Sequence, residues 1–424
     1  MSCDEGIEMP NAKWKKNAGF KPSLVLEKIL SIGTVQPDER ASYAVEHMQL
    51  RIALQSMIAF KDTLVWPIRI SAISKALSAT IKSEEPTQEN FMNELNNALK
   101  ALLSTKKIDY HLLTTVSLNG ERPLKACTID GCHIRFIKGP YPKKYSPRHE
   151  QEKYYNNPGK PTPAEYQKVI VSTKARHPQE AVHKCLRSLD ICRALLCLFT
   201  NYKWQISYGW SYSKMPINRI VLGNMHSLHL HDGSLNDKSQ YWYEPYSENP
   251  EPCSYTAEKA KKLRKDIMRM LSNIDQSKYG NQIKASLVRY VRALDERDAN
   301  SATIKMWGAL ETLAKGPNEN YNAIINRCSF ILPDSQIHKQ ILEALRETRN
   351  ESVHAGEYSE EARTNCYMMQ FYFYCLFMFH VNYCRYFRSF AEANEFLDLP
   401  ANKTALNRQA ELRAEAIKFK SSLG

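Results

Sequence analysis

The chain lacks several things that would send its reading elsewhere. It has no Cys-x2-Cys pair, and its 11 cysteines are an odd number in a chain whose start, MSCDEGIEMP, carries acids and no apolar core. A reduced cytoplasmic protein is therefore the expectation. No internal repeat or low-complexity tract is evident. Acid is scarce relative to base, 45 Asp and Glu against 58 Lys and Arg, leaving a formal charge of +13. That balance predicts attraction to polyanions.

Long apolar runs are almost absent too. The exception is CYMMQFYFYCLFMFHVNYC, Cys366 to Cys384, apolar nearly all round and interrupted by Gln370, His380 and Asn382. Such a helix is either a membrane span or buried in protein. No second stretch resembles it, so burial, with a dimer interface supplying part of it, is the expected state and a membrane is not an expected partner.

Punctuation divides the rest. Residues 41 to 79 read as helical with Pro67 a break or restart, and Pro86 opens a helix through Phe91, Leu95, Leu99 and Leu102. Strands follow at 109 to 118, in a hairpin around Asp130, at 168 to 175, at 204 to 212 and at 219 to 232, with a helix from 178 to 201 between them. Gly139 to Pro163 reads as a long loop. ENPEPCS, Glu248 to Ser254, is the best boundary, and beyond it only helices are expected. The predicted fold class is an α+β N-terminal domain, residues 1–250, with a recognition or regulatory role, followed by an all-α helical bundle over residues 251–424.

The residues that carry chemistry lie in LRETRNESVHA, Leu345 to Ala355. An arginine can hold a phosphate through paired charge-assisted hydrogen bonds, and a histidine trades protons near neutral pH. Spacing alone does not choose the pair. Of the 12 histidines only His354 has an arginine five positions earlier, but Arg40, Arg176 and Arg219 stand seven before His47, His183 and His226. Context favours Arg349 with His354. Ile337, Ile341 and Leu345 recur every four residues and Arg349 continues that stripe, while Arg346, Asn350 and His354 form a polar row beside it. Gly356 is the expected helix stop. Five residues turn an ideal helix by about 140°, so one helix cannot close both side chains on one phosphate, and two copies across a symmetry axis can. The plain alternative is that Arg349 pairs with Glu347 or Glu351 and His354 caps its own helix.

From Ala257 to Leu399, about a third of the chain, the sequence resembles a HEPN domain. Arg349, Asn350 and His354 match that family's arginine, polar residue and histidine position by position. The preceding KMWGALETLAK, with Trp307, Leu310, Glu311 and Leu313, resembles the corresponding helix of the Apea-like HEPN subgroup, whose acidic residue faces the motif. The resemblance implies a metal-independent endoribonuclease (a hydrolase in the broad sense, with no cofactor) acting as a homodimer on RNA, in antiviral phage defence or a toxin system. It assigns catalysis to Arg349, His354 and Asn350, with Glu311 and Arg346 supporting. Many HEPN domains are inactive RNA-binding or scaffolding modules, which is the rival reading. An unregulated ribonuclease harms its host, so an unidentified inhibitor or trigger is a further expected partner.

Two other features bear on RNA. KAKKLRKDIMR supplies Lys259, Lys261, Lys262, Arg264 and Lys265 as expected phosphate contacts. Lys138, Lys143, Lys144, Arg148, Lys153, Lys160, Lys168, Lys174 and Arg176 are interleaved with Tyr141, Tyr145, Tyr154, Tyr155 and Tyr166, either a single-stranded RNA tract or a solvated loop. MHSLHLHDG offers His226, His229 and His231 beside Asp232, but no compensating ligand cluster stands out elsewhere, and no metal is assigned.

Overall fold

Thr87 begins the best-signalled helix by accepting a hydrogen bond from the Asn90 amide, and Phe91, Leu95, Leu99 and Leu102 then turn to one face and are buried. The computed structural model describes residues 11–17, 19–32, 34–35, 41–42, 45–61, 64–83, 87–154, 162–201, 217–235, 241–243, 249–316, 319–354 and 361–423. Contacts divide the chain into two compact units, Met1–Tyr110 with Thr173–Lys184 and His111–Ser172 with Cys185–Gly424. Position 251, where the sequence suggests a new domain, falls inside the second.

The first unit contains β1 (Ala12–Trp14), α1 (Pro22–Ile32), β2 (Thr34–Val35), β3 (Ala41–Ser42), α2 (Val45–Ser56), β4 (Ile58–Phe60), α3 (Trp66–Lys82) and α4 (Gln88–Ser104). Pro67 does restart a helix: it stands in the first turn of α3, where no amide hydrogen is needed. Helix α3 buries Ile68, Ala72, Ile73, Ala76 and Leu77 in the same apolar cluster as the α4 face. Strand β1 pairs antiparallel with β4. Asn96 of α4 completes β1 by bonding both the amide and the carbonyl of Ala12, at 3.0 and 3.1 Å.

The sheet comes next along the chain, with β5 (Ile108–Val116), β6 (Leu118–Gly120), β7 (Ala126–Ile129), β8 (Cys132–Ile137), a short α5 (Ser146–Tyr154), β9 (Gln167–Ala175), α6 (Pro178–Thr200), β10 (Met225–Leu230), β11 (Tyr241–Tyr243) and β12 (Cys253–Tyr255). Six strands form one sheet in the order β11-β10-β5-β9-β8-β7. Asp130 and Gly131 both take positive φ, 49° and 74°, which gives the two-residue turn the twist that the β7–β8 hairpin needs. The strand expected at 204 to 212 lies outside the described residues. The segment from Gly139 is no solvated loop: Tyr141, Tyr145 and Tyr166 are buried, α5 forms, and Arg148, 2% exposed, donates to Leu113 O, Ser227 Oγ and Met225 O. Burial lifts the Tyr141 hydroxyl to about 12. Those three rings are core residues and do not offer faces to bases.

Among the described residues the elements after β12 are all helices: α7 (Ala257–Gln276), α8 (Gly280–Leu294), α9 (Ala299–Ala314), α10 (Asn322–Phe330), α11 (Ser335–His354), α12 (Ala362–Tyr383), α13 (Phe390–Leu397) and α14 (Lys403–Ser421). The molecule thus has a mixed α+β part and a helical part. The sequence boundary near 250 does not separate them mechanically, because β12 pairs parallel with β6 and polar links run from the helices to the sheet layer. Arg193 of α6 is buried, binds Asp190 at 2.7 Å and Asp295 at 2.8 Å, and keeps its charge despite desolvation because both carboxylates face it. Lys284 of α8 reaches Asp130 of the hairpin turn at 2.6 Å.

Helix α12 is the bundle's central element. Cys366, Met369, Phe373, Leu376, Phe377 and His380 are buried, and Phe373 stacks on Tyr290 of α8 with centroids 4.2 Å apart. Among the described residues no helix is long and apolar enough to cross a membrane. Helix α14 is the opposite case, since none of its side chains is buried.

Candidate functional site

Helix α11 places the motif, though not by the stripe the sequence suggests. Ile337 is 61% exposed, while Leu342 and Leu345 are buried and His338 and Arg349 are half-buried. Residues four apart rotate by about 40° per step, so the repeat 337, 341, 345 drifts off the inner face. The inner face is 338, 342, 345, 349. Arg349 therefore does point toward neighbouring helices, as expected.

Its surroundings are cationic and aromatic. Arg349 Nη1 donates to Asn350 Oδ1 at 3.1 Å, and the guanidinium lies 5.4 Å from the ring centre of Tyr321, the residue that opens α10. Lys315, just past α9, places its ammonium 4.6 Å from the centre of the same ring. Two cations share one aromatic ring that is 40% exposed. Arg349 Nε is buried and makes no hydrogen bond among the described residues. Neither Glu347 nor Glu351 pairs with it there; Glu347 lies 3.7 Å from Arg346 instead.

The supporting residues take other partners. Arg346 donates to Asn322 Oδ1 at 2.8 Å and pairs with Glu343 at 2.5 Å. Glu311 lies 3.9 Å from Lys315 Nζ. The backbone of His354 ends α11, and its side chain lies outside the described residues.

Tyr321 and Lys315 are held by a residue further inside. Arg327 of α10, 3% exposed, donates to Ala314 O at 2.5 Å and to both oxygens of Glu319, at 2.5 and 2.9 Å, and pairs with Asp398 at 2.6 Å. Glu319 in turn accepts from the Gly316 amide at 2.6 Å. These bonds fasten both ends of the connection between α9 and α10. Sequence reasoning passed over Tyr321, Lys315 and Arg327. The signal was KGPNENY, a turn-forming cluster between two apolar helices that carries a cation at one end and a ring at the other.

No family model, curated protein or solved structure matches the chain. The site's chemistry accordingly rests on its own residues. A half-buried guanidinium with an uncommitted Nε, a second cation and an exposed ring can hold an anion next to an unsaturated planar group.

Along α7, Lys259, Lys261, Lys262 and Lys265 are exposed, with Lys259 Nζ 5.4 Å from the Tyr255 ring centre. Arg264 is committed elsewhere, to Pro123 O at 2.9 Å and Arg122 O at 3.3 Å. His226 and His229 are buried, and desolvation lowers them to about 3 and about 4. His229 Nδ1 faces Gly233 O at 2.8 Å and Nε2 faces Ser227 Oγ at 2.9 Å, so both its nitrogens are engaged. Among the described residues no group of three or more His, Cys, Asp or Glu is placed to hold a metal ion.

Proposed function

We propose that this protein is a metal-independent endoribonuclease of the HEPN type, working as a homodimer in phage defence or a toxin-type system. The observation that carries the reading is Arg349, turned inward on α11, its Nε without a hydrogen bond among the described residues and its guanidinium sharing one exposed tyrosine ring with Lys315.

The reaction needs only protein groups. The ribose 2′-oxygen attacks the adjacent phosphorus as a base removes its proton, and the departing 5′-oxygen takes a proton from an acid. His354 serves one of these roles and its copy in the partner subunit the other. Arg349 holds the phosphate and stabilises the charge that grows on its oxygens, and Asn350 orients the guanidinium through the bond the two share. The products are a 2′,3′-cyclic phosphate and a 5′-hydroxyl, and DNA resists because deoxyribose lacks the nucleophile.

A second reading, an RNA-binding or scaffolding protein without catalysis, draws on Glu311, whose ion pair is with Lys315 and not with Arg349. Incubation of the purified protein with mixed cellular RNA in excess chelator separates the two. Cleavage is expected, with His354→Ala slowed by roughly 10²-fold or more while still binding RNA. Arg349→Ala is expected to be as inactive and to bind more weakly, since it loses a phosphate contact as well. Normal cleavage by His354→Ala, or loss of wild-type activity in chelator, overturns the nuclease reading.

A further inference from the structure

Where α12 ends, large rings come to the surface. Tyr386 is 76% exposed, the most exposed large apolar side chain among the described residues, and Tyr383 is 56% exposed. Both are anchored beneath. Tyr386 stands perpendicular to buried Phe387 at 5.3 Å between ring centres, and Tyr383 leans on Phe379 at 5.4 Å. Rings held this way lose little freedom on binding.

Their neighbours are cationic. Arg385 and Arg388 are exposed beside Tyr386. The turn is tied to α7 by four bonds: Arg385 Nη2 to Asn273 Oδ1 at 3.0 Å, Asn273 Nδ2 to Val381 O at 3.1 Å, Cys384 Sγ to Asn273 O at 3.2 Å and Arg269 Nη1 to Asn382 Oδ1 at 3.3 Å. Lys262, Lys265 and Arg269 recur at intervals of three and four, a cationic row along α7 that leads to Asn382. Three carboxylates on these elements have partners: Asp275 pairs with Lys284, Glu392 accepts from the Arg388 amide, and Asp266 faces Arg269 at 4.0 Å.

We propose that this surface is a binding site for single-stranded RNA, with bases stacked on Tyr383 and Tyr386 and phosphates on Arg385, Arg388 and the α7 row. Cations alone accept any polyanion, but a duplex keeps its base faces stacked inside, so exposed rings reward only a single strand. The site extends the reading of α7 as an RNA-binding helix. The surface grips single strand and sets affinity.

The test reads binding alone, so it stands even if the protein cleaves nothing. Fluorescence anisotropy of the full chain is measured against a labelled 2′-O-methyl oligouridylate, which cannot be cut at the 2′-oxygen, and against a duplex of equal length, over a salt series. Tyr386→Ala is expected to weaken single-strand binding about 5-fold to 100-fold, leaving duplex binding and the salt slope unchanged. Tyr386→Trp retains wild-type affinity. Arg388→Ala reduces the salt slope by roughly one phosphate contact, and changing Lys261, Lys262 and Lys265 together to Glu flattens it for both probes. Tyr386→Ala binding the single strand as wild type does, or losing single strand and duplex equally, overturns the proposal.

Discussion

At the scale of single residues, the site turns on Tyr321. Its ring faces two cations that would otherwise repel each other, and it leaves 40% of its surface to solvent. Cation–π contacts of this partly exposed kind contribute about 1 to 2 kcal/mol. Tyr321→Ala should therefore lower kcat/KM for RNA roughly 5-fold to 30-fold at an unchanged melting temperature, while Tyr321→Phe, which keeps the ring, cleaves normally. An alanine variant as active as the wild type would remove Tyr321 from the site. Local signals did not reach this residue, because its meaning comes from α11 packing back on the α9–α10 connection, a contact between positions far apart in sequence. Arg349 was legible for the reverse reason, since a helical face is a local property.

At the scale of elements, legibility followed the strength of local punctuation. Pro86 with the apolar face from Phe91 to Leu102 marked α4, whose cap is Thr87, and the hairpin around Asp130 marked the β7–β8 turn. The Gly139 to Pro163 segment misled because proline, glycine and lysine mark loops, whereas Tyr141, Tyr145 and Arg148 are amphipathic side chains whose burial depends on β5 and β10 behind them. Helix α12 was read correctly as buried, yet its burial is incomplete. Tyr367, Phe371, Tyr374 and Met378 recur at intervals of four, three and four and are only half-buried, a stripe opposite the face that meets α8 and α9. That stripe is the surface a second copy would cover. Light scattering should give a dimeric mass at micromolar concentration, and Phe371→Glu should lower it to that of a monomer. A monomeric wild type with full nuclease activity would end the shared-cleft model.

At the scale of the whole molecule, buried histidines make stability depend on pH. His226, His229 and His380 are lowered by burial to about 3, about 4 and about 4, from an ordinary 6.5. The folded values lie below the unfolded one, so the unfolded chain takes up the protons. Their stabilisation is complete above the ordinary value and is lost as pH falls from there toward 4. Each contributes a slope of up to about 1.4 kcal/mol per pH unit in that window. Urea unfolding between pH 5 and 6.5, above the range of most carboxylates, should show stability rising with pH, and His380→Gln should remove about one proton's worth of slope. A flat profile would mean that these rings are not neutral in the fold. The α14 helix, with no buried side chain, stands outside this cooperativity altogether. Its surface ion pairs, Arg408 with Glu411 and Lys418 with Glu415, hold little, and a lone helix of its length is marginal in water. The molecule should thus keep two clocks in deuterated solvent: amides of α14 exchange at the earliest sampling time, while those beneath Phe373 and Phe377 wait for global unfolding. Slow exchange in α14 would reveal that something already holds it.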